Sequence, residues 1–497
     1  MKTHLALPKD IENYVKNNTP NAEGVWNYFN DIRQIPRLST KEAAMMQYII
    51  EFAEKNSFDY DADATGNLVV RVPSNNGSNN TVCLQSHMDM VADVAKGSTF
   101  DFYKDTIELV LDNGWITAKN TSLGADNGMG IANALNIATD NSVKHPNLEI
   151  LCTVNEETGC NGADALGLKL ESKYLINIDS EDGPVIYNGC AGSITLNGKL
   201  SAKPEIKSDG CYKLTVSGLK GGHSGIEIHE DRGNAFSIVG KLLERIVAEY
   251  KDRFHIIAVN GEEKQARNKI PKYAEVSFML PPFETVNSLS HKYIKHIIKR
   301  MSDADILSLR YAGIDIQLNA TDHGEYLAFS NKVSKDIVGL MNSDHSGVYS
   351  WAITGEVPHT SSNLGVMKTT ENGIEITDMI RSTLPQELEI RYDELQRLFL
   401  EYGFEPKIEG RMDPWNPVES HLLDTAKEVG NSVYSEGIKV KVVHAGLECG
   451  IIQLKFPGME AISIGPEMLH VHTFNERVNI DSVGKTYDLL KKIVERF

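Results

Sequence analysis

Several short segments carry side chains able to bind cations or move protons. Leu84-Gln-Ser-His87-Met-Asp89 sets an imidazole and a carboxylate two residues apart just after an apolar run. A metal-bound histidine needs its second ring nitrogen held, and a nearby Asp is a common partner. Gly124-Ala-Asp126-Asn-Gly128-Met-Gly130 places one acid among small residues, where a carboxylate can lie between two cations. Asn155-Glu156-Glu157-Thr-Gly159 puts two acids side by side. Buried, such a pair repels itself unless a cation or a shared proton compensates. It also divides labour, one Glu holding metal and the other serving as base for a metal-activated water. Asn177-Ile-Asp179-Ser-Glu-Asp182 offers a further oxygen ligand, and Leu469-His470-Val-His472 two more imidazoles.

Each segment alone has an ordinary explanation: a polar strand end, a turn leading into a helix, an exposed acidic loop. Together, two His and three carboxylates suffice for two ions about 3.5 to 4 Å apart, the arrangement of two-metal hydrolysis. Mixed N and O ligation favours zinc, with manganese or cobalt as alternatives, since no thiolate is required. A structural zinc site would instead be closed by four Cys or His around one ion.

The surrounding elements must bring these segments together. Apolar spacing from Ala22 to Ser57 predicts two helices. Strands are expected at Gly66 to Pro73, Thr81 to Gln85, Leu148 to Val154 and Tyr174 to Asp179, with Asn133 to Thr139 in a helical stretch that begins just after the Asp126-Asn-Gly turn. Strands alternating with helices predict an α/β domain with a mostly parallel sheet. His87, Glu156, Glu157 and Asp179 all fall at or just past the C-terminal end of a strand, the edge where open α/β sheets bind ligands. After Gly192 the texture changes to alternating strands, as in Ser193 to Leu200 and Cys211 to Val216, with a helix from Ala235 to Tyr250. A similar pattern recurs from about Gly347 to Gly403, so the insert is expected to be α+β with two similar lobes. Strand and helix alternation returns in His421 to Tyr434 and Ile438 to His444. The expected organisation is a catalytic domain in two parts, 1–192 and 411–497, interrupted by an inserted lid and dimerisation domain, 193–410.

Composition narrows the function classes. At 497 residues the chain exceeds one comfortable core, and its charge of −18 argues against nucleic acid or anionic membrane as partner. No window holds the roughly 18 consecutive apolar residues of a membrane span. The first residues meet a charge and a proline before any apolar stretch of signal-peptide length, so a cytoplasmic protein is expected. The scattered Cys83, Cys152, Cys160, Cys190, Cys211 and Cys449 read as reduced thiols in core packing, with Cys160 and Cys190 close in sequence to proposed ligands.

Taken in order, Ser86-His87-Met-Asp89, Gly124-Ala-Asp126-Asn-Gly, Asn155-Glu156-Glu157-Thr-Gly, Ile178-Asp179-Ser-Glu-Asp, Gly221-Gly-His223-Ser-Gly225 and His444-Ala-Gly-Leu-Glu448-Cys-Gly450 resemble the dinuclear zinc peptidases, and most closely the aminoacyl-histidine dipeptidases. The resemblance spans nearly the whole chain. It implies His87 and Asp179 on one ion, Glu157 and His472 on the other, and Asp126 bridging both. Asp89 would orient His87, Glu156 would be the general base, and His223 would stabilise the developing oxyanion. Asn268 and Arg381 resemble lid groups that hold the substrate's polar ends, an Arg clamp on a free carboxylate suiting short peptides. His444 and Glu448 fall in a loop that the family places beside the substrate. Related enzymes carry His-Ser-Pro-Asp-Glu where this chain reads His472-Thr-Phe-Asn-Glu476, and His472 is taken over His470 because Glu476 keeps its spacing. The stretch Ser302 to Asn331 has no counterpart in the pattern. The implied activity is hydrolysis of unblocked dipeptides such as carnosine-like Xaa-His compounds by a homodimer. A tripeptide aminopeptidase or N-acyl amino acid hydrolase with the same metals is the nearest alternative. A catalytically silent binding protein is the alternative from another class, and Glu156 counts against it.

Overall fold

The computed structural model describes residues 5–280, 311–320, 324–343, 345–352 and 357–497. Part of the unmatched Ser302 to Asn331 stretch lies outside the described residues. The chain forms two compact units.

The first unit comprises Met1–Cys190, Trp415–Val442 and Leu447–Phe497. Its main sheet runs in the order Asp59–Ala62, Leu68–Val72, Asn147–Thr153, Thr81–His87, Tyr174–Asn177, Glu460–Ser463, Val185–Cys190, Lys439–Val443. The four strands from Asn147–Thr153 to Glu460–Ser463 are parallel, and Leu68–Val72 and Val185–Cys190 flank them antiparallel. These are the near-continuous apolar runs expected of strands covered on both faces: Thr81–His87 is buried from its second residue to its last. Helices Glu23–Ile32 and Ala43–Asn56 match the two expected at the start. Lys9–Asn18 is a third, missed because it buries only Ile11 and Val15, too narrow a stripe to read as periodic. The helical stretch expected after the Asp126-Asn-Gly turn lies in helix Ala125–Thr139, where Asp126 and Asn127 keep non-helical backbone and the regular helix follows them.

The second unit comprises Ala191–Pro414 and Val443–Gly446. Among the described residues it holds a two-stranded pair, Gly222–His223 with Lys269–Ile270, and two larger antiparallel sheets. One joins His255–Gly261, Ala274–Leu280, Glu205–Ser217 and Asp315–Ala320, with Gly324–Ala328 added to the long strand. The other runs Gly347–Trp351, Pro358–Thr370, Gly373–Ser382, Gly192–Ser201, Glu405–Met412. Helix Ala235–Tyr250 covers its expected range, capped by the Asn234 side chain, which accepts from the Phe236 and Ser237 N–H groups. The recurring pattern from Gly347 to Gly403 builds the second sheet and helix Pro385–Glu401. A single apolar core draws on both sheets, with Leu214 and Phe278 from one and Ile376 and Ile380 from the other. Residues 443–446 were expected with the second catalytic segment. They group here because the Ala191 N–H donates to the Val443 carbonyl at 2.9 Å and the His444 ring pairs with Ser361.

Candidate metal centre

Parallel pairing sends the C-terminal ends of the central strands to one edge of the sheet. His87 ends its strand there, Glu156 and Glu157 follow Asn147–Thr153, and Asp179 follows Tyr174–Asn177. His87 Nε2 lies 2.9 Å from Asp126 Oδ1 and 3.3 Å from Asp179 Oδ1. His472 Nε2 lies 3.0 Å from Asp126 Oδ2 and 2.8 Å from Glu157 Oε2. The two oxygens of Asp126 therefore face different imidazoles. His470, on the same loop, is exposed and makes no such contact with the cluster. Both His470 and His472 have left-handed backbone, φ 58° and 61°, a conformation that costs a side-chain-bearing residue energy and recurs at functional loops.

Asp89 links the histidine to the paired acids. Its Oδ1 lies 3.3 Å from His87 Nδ1 and accepts from the Glu156 N–H at 3.0 Å, while Oδ2 accepts from the Glu157 N–H at 3.2 Å. Burial would raise its pKa, but the His87 ring and these donors hold it below the usual range. Glu156 is not among the imidazole-paired acids; its Oε1 accepts from the Cys160 thiol at 3.3 Å. Burial drives Glu156 well above the carboxylate range against the pull of His87, and the charges of Glu157, Asp179 and Glu448 push the same way as burial.

The donor set fits divalent cations. Ligand atoms of His87, Asp126 and Glu157 all lie within 4.8 Å of one another. Donors sharing one tetrahedral zinc at about 2.0 to 2.1 Å lie roughly 3.3 Å apart, close to the spacings seen. Glu157 Oε1 is buried without a hydrogen-bond partner, as a ligand oxygen awaiting a cation would be. Burial would lower the pKa of both imidazoles, yet Asp179 drives His87 well up and Glu157 drives His472 well up. An anionic cluster that pulls protons onto its histidines is one in need of positive charge.

Three residues around the cluster escaped the sequence reading. Asn127 donates to Asp179 Oδ1. Arg37 bonds to the backbone of both the His87 and the Asp126 loops. Glu476, read only as a spacing marker, is buried and accepts four backbone N–H groups: Leu123 at 2.7 Å and Gly124 at 2.9 Å on Oε2, Ala125 at 2.8 Å and Asp126 at 3.3 Å on Oε1. Burial pushes its pKa up to about 7 against the pull of those donors. The sequence signal for Glu476 was its separation from His472; for Arg37 and Asn127 there was none.

Glu448, expected in a loop beside substrate, is instead the first residue of helix Glu448–Lys455 and is wholly buried. Its Oε2 accepts from Gln85 Nε2 at 2.5 Å and Thr153 Oγ1 at 2.7 Å, which ties it to the strands beneath the rim. Burial raises its pKa to about 7.

In the second unit, His223, Arg381 and His444 gather around Gly225: a Cβ added there would lie 3.0 Å from His223 Cε1, 3.2 Å from Arg381 Nε and 2.5 Å from the His444 carbonyl oxygen. His223 Nδ1 accepts from the N–H groups of Gly225 at 3.2 Å and Ile226 at 3.1 Å, which puts the neutral ring's proton on Nε2. The Asn268 carbonyl accepts from the Ser224 N–H at 2.8 Å, which brings Asn268 to the same turn. His444 Nε2 pairs with Ser361 Oγ at 2.8 Å. Burial, with Arg381, His229 and His359 nearby, pushes its pKa down to about 3.

Residues 83–496 match the family described as Peptidase family M20/M25/M40. The cytosol non-specific dipeptidase of Escherichia coli (strain K12) is 32% identical over 480 residues, 95% of this chain and 97% of that protein. The crystal structure of aminoacylhistidine dipeptidase from Vibrio alginolyticus superposes with a TM-score of 0.75 at 30% identity, over 97% of this chain and 98% of that one. A tripeptidase from Staphylococcus aureus shares the fold at a TM-score of 0.58 and 15% identity, over 96% and 99% of the two chains.

Proposed function

The chain belongs to peptidase family M20/M25/M40, a peptide-bond hydrolase with dipeptidase relatives, and from that premise we propose that it cleaves unblocked dipeptides, Xaa-His among them, with two divalent metal ions and Glu156 as base. The observation that carries this reading is a half-buried Glu156, outside the imidazole-paired acids, next in sequence to Glu157 in a cluster of two imidazoles and three carboxylates.

His87 and Asp179 would hold one ion, Glu157 and His472 the other, and Asp126 both. Bound there, the ions supply a lowered water pKa and a polarised substrate carbonyl. Asp89 Oδ1 stands 3.3 Å from His87 Nδ1 and would orient the ring, so Nε2 is the nitrogen presented to Asp126 and Asp179. Glu156 accepts the proton of the attacking water and returns it to the leaving amine, a task suited to a carboxyl whose surroundings raise its proton affinity. By the family resemblance, His223 of the second unit would stabilise the developing oxyanion, and Arg381, Asn268 and His444 would receive the peptide's free carboxylate. Glu448 is reassigned from substrate contact to support of the strands that carry the ligands.

One relative is named as non-specific and another as aminoacylhistidine-directed, which supports a broad dipeptidase that accepts C-terminal histidine. Zinc is the proposed metal, with manganese or cobalt as alternatives, and a homodimer the proposed assembly. A cytoplasmic location is proposed from the cytosolic relative; among the described residues no helix is long and apolar enough to cross a membrane.

The test is release of histidine from L-alanyl-histidine by wild type and Glu156→Ala, each stripped of metal and reloaded with zinc. Wild type is expected to turn over only with metal, and the variant to keep its zinc while losing about 10²- to 10⁴-fold in rate. Zinc-loaded wild type that ignores dipeptides but cleaves tripeptides or N-acyl amino acids would replace this reading with one of the alternatives. Inertness towards all of them would leave the silent binding protein.

A further inference from the structure

Arg37 follows helix Glu23–Ile32 and is 2% exposed. Its Nη1 donates to the carbonyl oxygens of Met88 at 3.2 Å and Asp89 at 2.6 Å, and its Nη2 donates to that of Gly124. These carbonyls lie on the two loops that carry His87, Asp89 and Asp126. The second loop is shaped around the cation: a Cβ at Gly124 would lie 2.7 Å from Nη2, and one at Gly128 3.0 Å. Two glycines of the Gly-Ala-Asp-Asn-Gly motif thus leave room for a guanidinium. The next residue, Leu38, pairs by a backbone bridge with Met90, which fixes the segment against the first loop.

None of the carbonyls is charged; burial pulls the guanidinium's pKa down, and the acids around it, Glu476, Asp126, Asp89 and Glu157, oppose that pull. A buried cation held on backbone carbonyls is costly unless its surroundings are anionic. A planar fork can bond several carbonyls at fixed angles, which a lysine ammonium cannot reproduce.

We propose that Arg37 is a positioning residue of the metal centre, its fork locking the loop of His87 and Asp89 to the loop of Asp126 so that ligands from separate loops stand at working distance before a cation arrives. The inference rests on the two-metal reading above. Groups that orient metal ligands typically cost about 10- to 100-fold in metal affinity when removed.

The experiment measures zinc stoichiometry and affinity, by competition with a chromophoric chelator, for wild type, R37K and R37M, alongside urea unfolding of the metal-free proteins and kcat and KM on L-alanyl-histidine. Wild type is expected to take up two ions, folded R37M to bind them about 10- to 100-fold more weakly with KM little changed, and R37K to fall between. A residue that only stabilises the fold would shift unfolding while leaving zinc affinity untouched. Zinc affinity within about twofold of wild type in both folded variants overturns the inference, far below the loss expected of an orienting group. If R37M does not fold, R37K decides by the same criterion. Wild type that binds no zinc overturns the metal reading itself, and this inference with it.

Discussion

Replacing Glu476 by Gln isolates what the carboxylate does for the Asp126 loop. Each of its oxygens accepts two backbone N–H groups, at 2.7 and 2.9 Å on one and 2.8 and 3.3 Å on the other. Gln keeps the shape and one oxygen but turns an NH2 towards two of the four donors. Two buried N–H groups then lack an acceptor, at about 1 to 3 kcal/mol each, so the first unit should lose roughly 3 kcal/mol, or about 150-fold in its unfolding equilibrium. Urea unfolding of the chelator-treated protein, followed by tryptophan fluorescence, reads this directly, because Trp26, Trp115 and Trp415 lie in the first unit. Glu12→Gln, which removes an exposed helix-surface ion pair, is the control and should leave the unfolding midpoint close to that of wild type. Should Glu476→Gln unfold as close to wild type as that control, the four-donor cradle does not hold the loop and the argument fails.

Further expectations follow from the same geometry. His472→Ala should drop zinc stoichiometry from two to one while His470→Ala leaves it at two; the reverse would move the ligand to His470. His444 is held neutral, its pKa pushed to about 3, whereas the unfolded ring titrates near 6.5. The unfolded state therefore binds more protons between those values, and the second unit should lose stability as pH falls below about 6.5, by up to about 3 kcal/mol at pH 4. His444→Gln should flatten that acid limb in urea midpoints taken from pH 7 to pH 4, and an unchanged limb would show that another group is responsible. Gly225→Ala forces a methyl group to within 2.5 Å of the His444 carbonyl oxygen, so KM for L-alanyl-histidine should rise about tenfold with zinc affinity unchanged. An unaltered KM would remove this turn from substrate recognition.

The ligand-bearing edge was legible because parallel pairing is a strong constraint: once strands were read at Thr81, Leu148 and Tyr174, the polar residues after each had to share a rim. The helix Ala235–Tyr250 was legible for a similar reason, its buried face repeating at helical spacing. What escaped was held by backbone rather than by pattern. Arg37 meets carbonyls contributed by residues of any type, and a lone arginine outside helix and strand looks like a surface residue until those carbonyls are seen. Glu448 was placed in a loop by the resemblance alone, whereas it opens helix Glu448–Lys455. Residues 443–446 were assigned by their neighbours in sequence, and only the pairing of Val443 with Ala191 and of His444 with Ser361 reveals their place.

The strand order has a consequence for how the enzyme is born. Glu460–Ser463 lies between Tyr174–Asn177 and Val185–Cys190, so the sheet cannot close around its parallel core until a segment encoded some 270 residues later has left the ribosome. At about 5 to 20 residues per second, the first 190 residues wait on the order of 14 to 55 s with a gap in the sheet and without His472. A nascent chain in that interval has strand edges open to mispairing, which makes it a natural client for chaperones. The same delay keeps a peptide-cleaving centre incomplete until synthesis is nearly over.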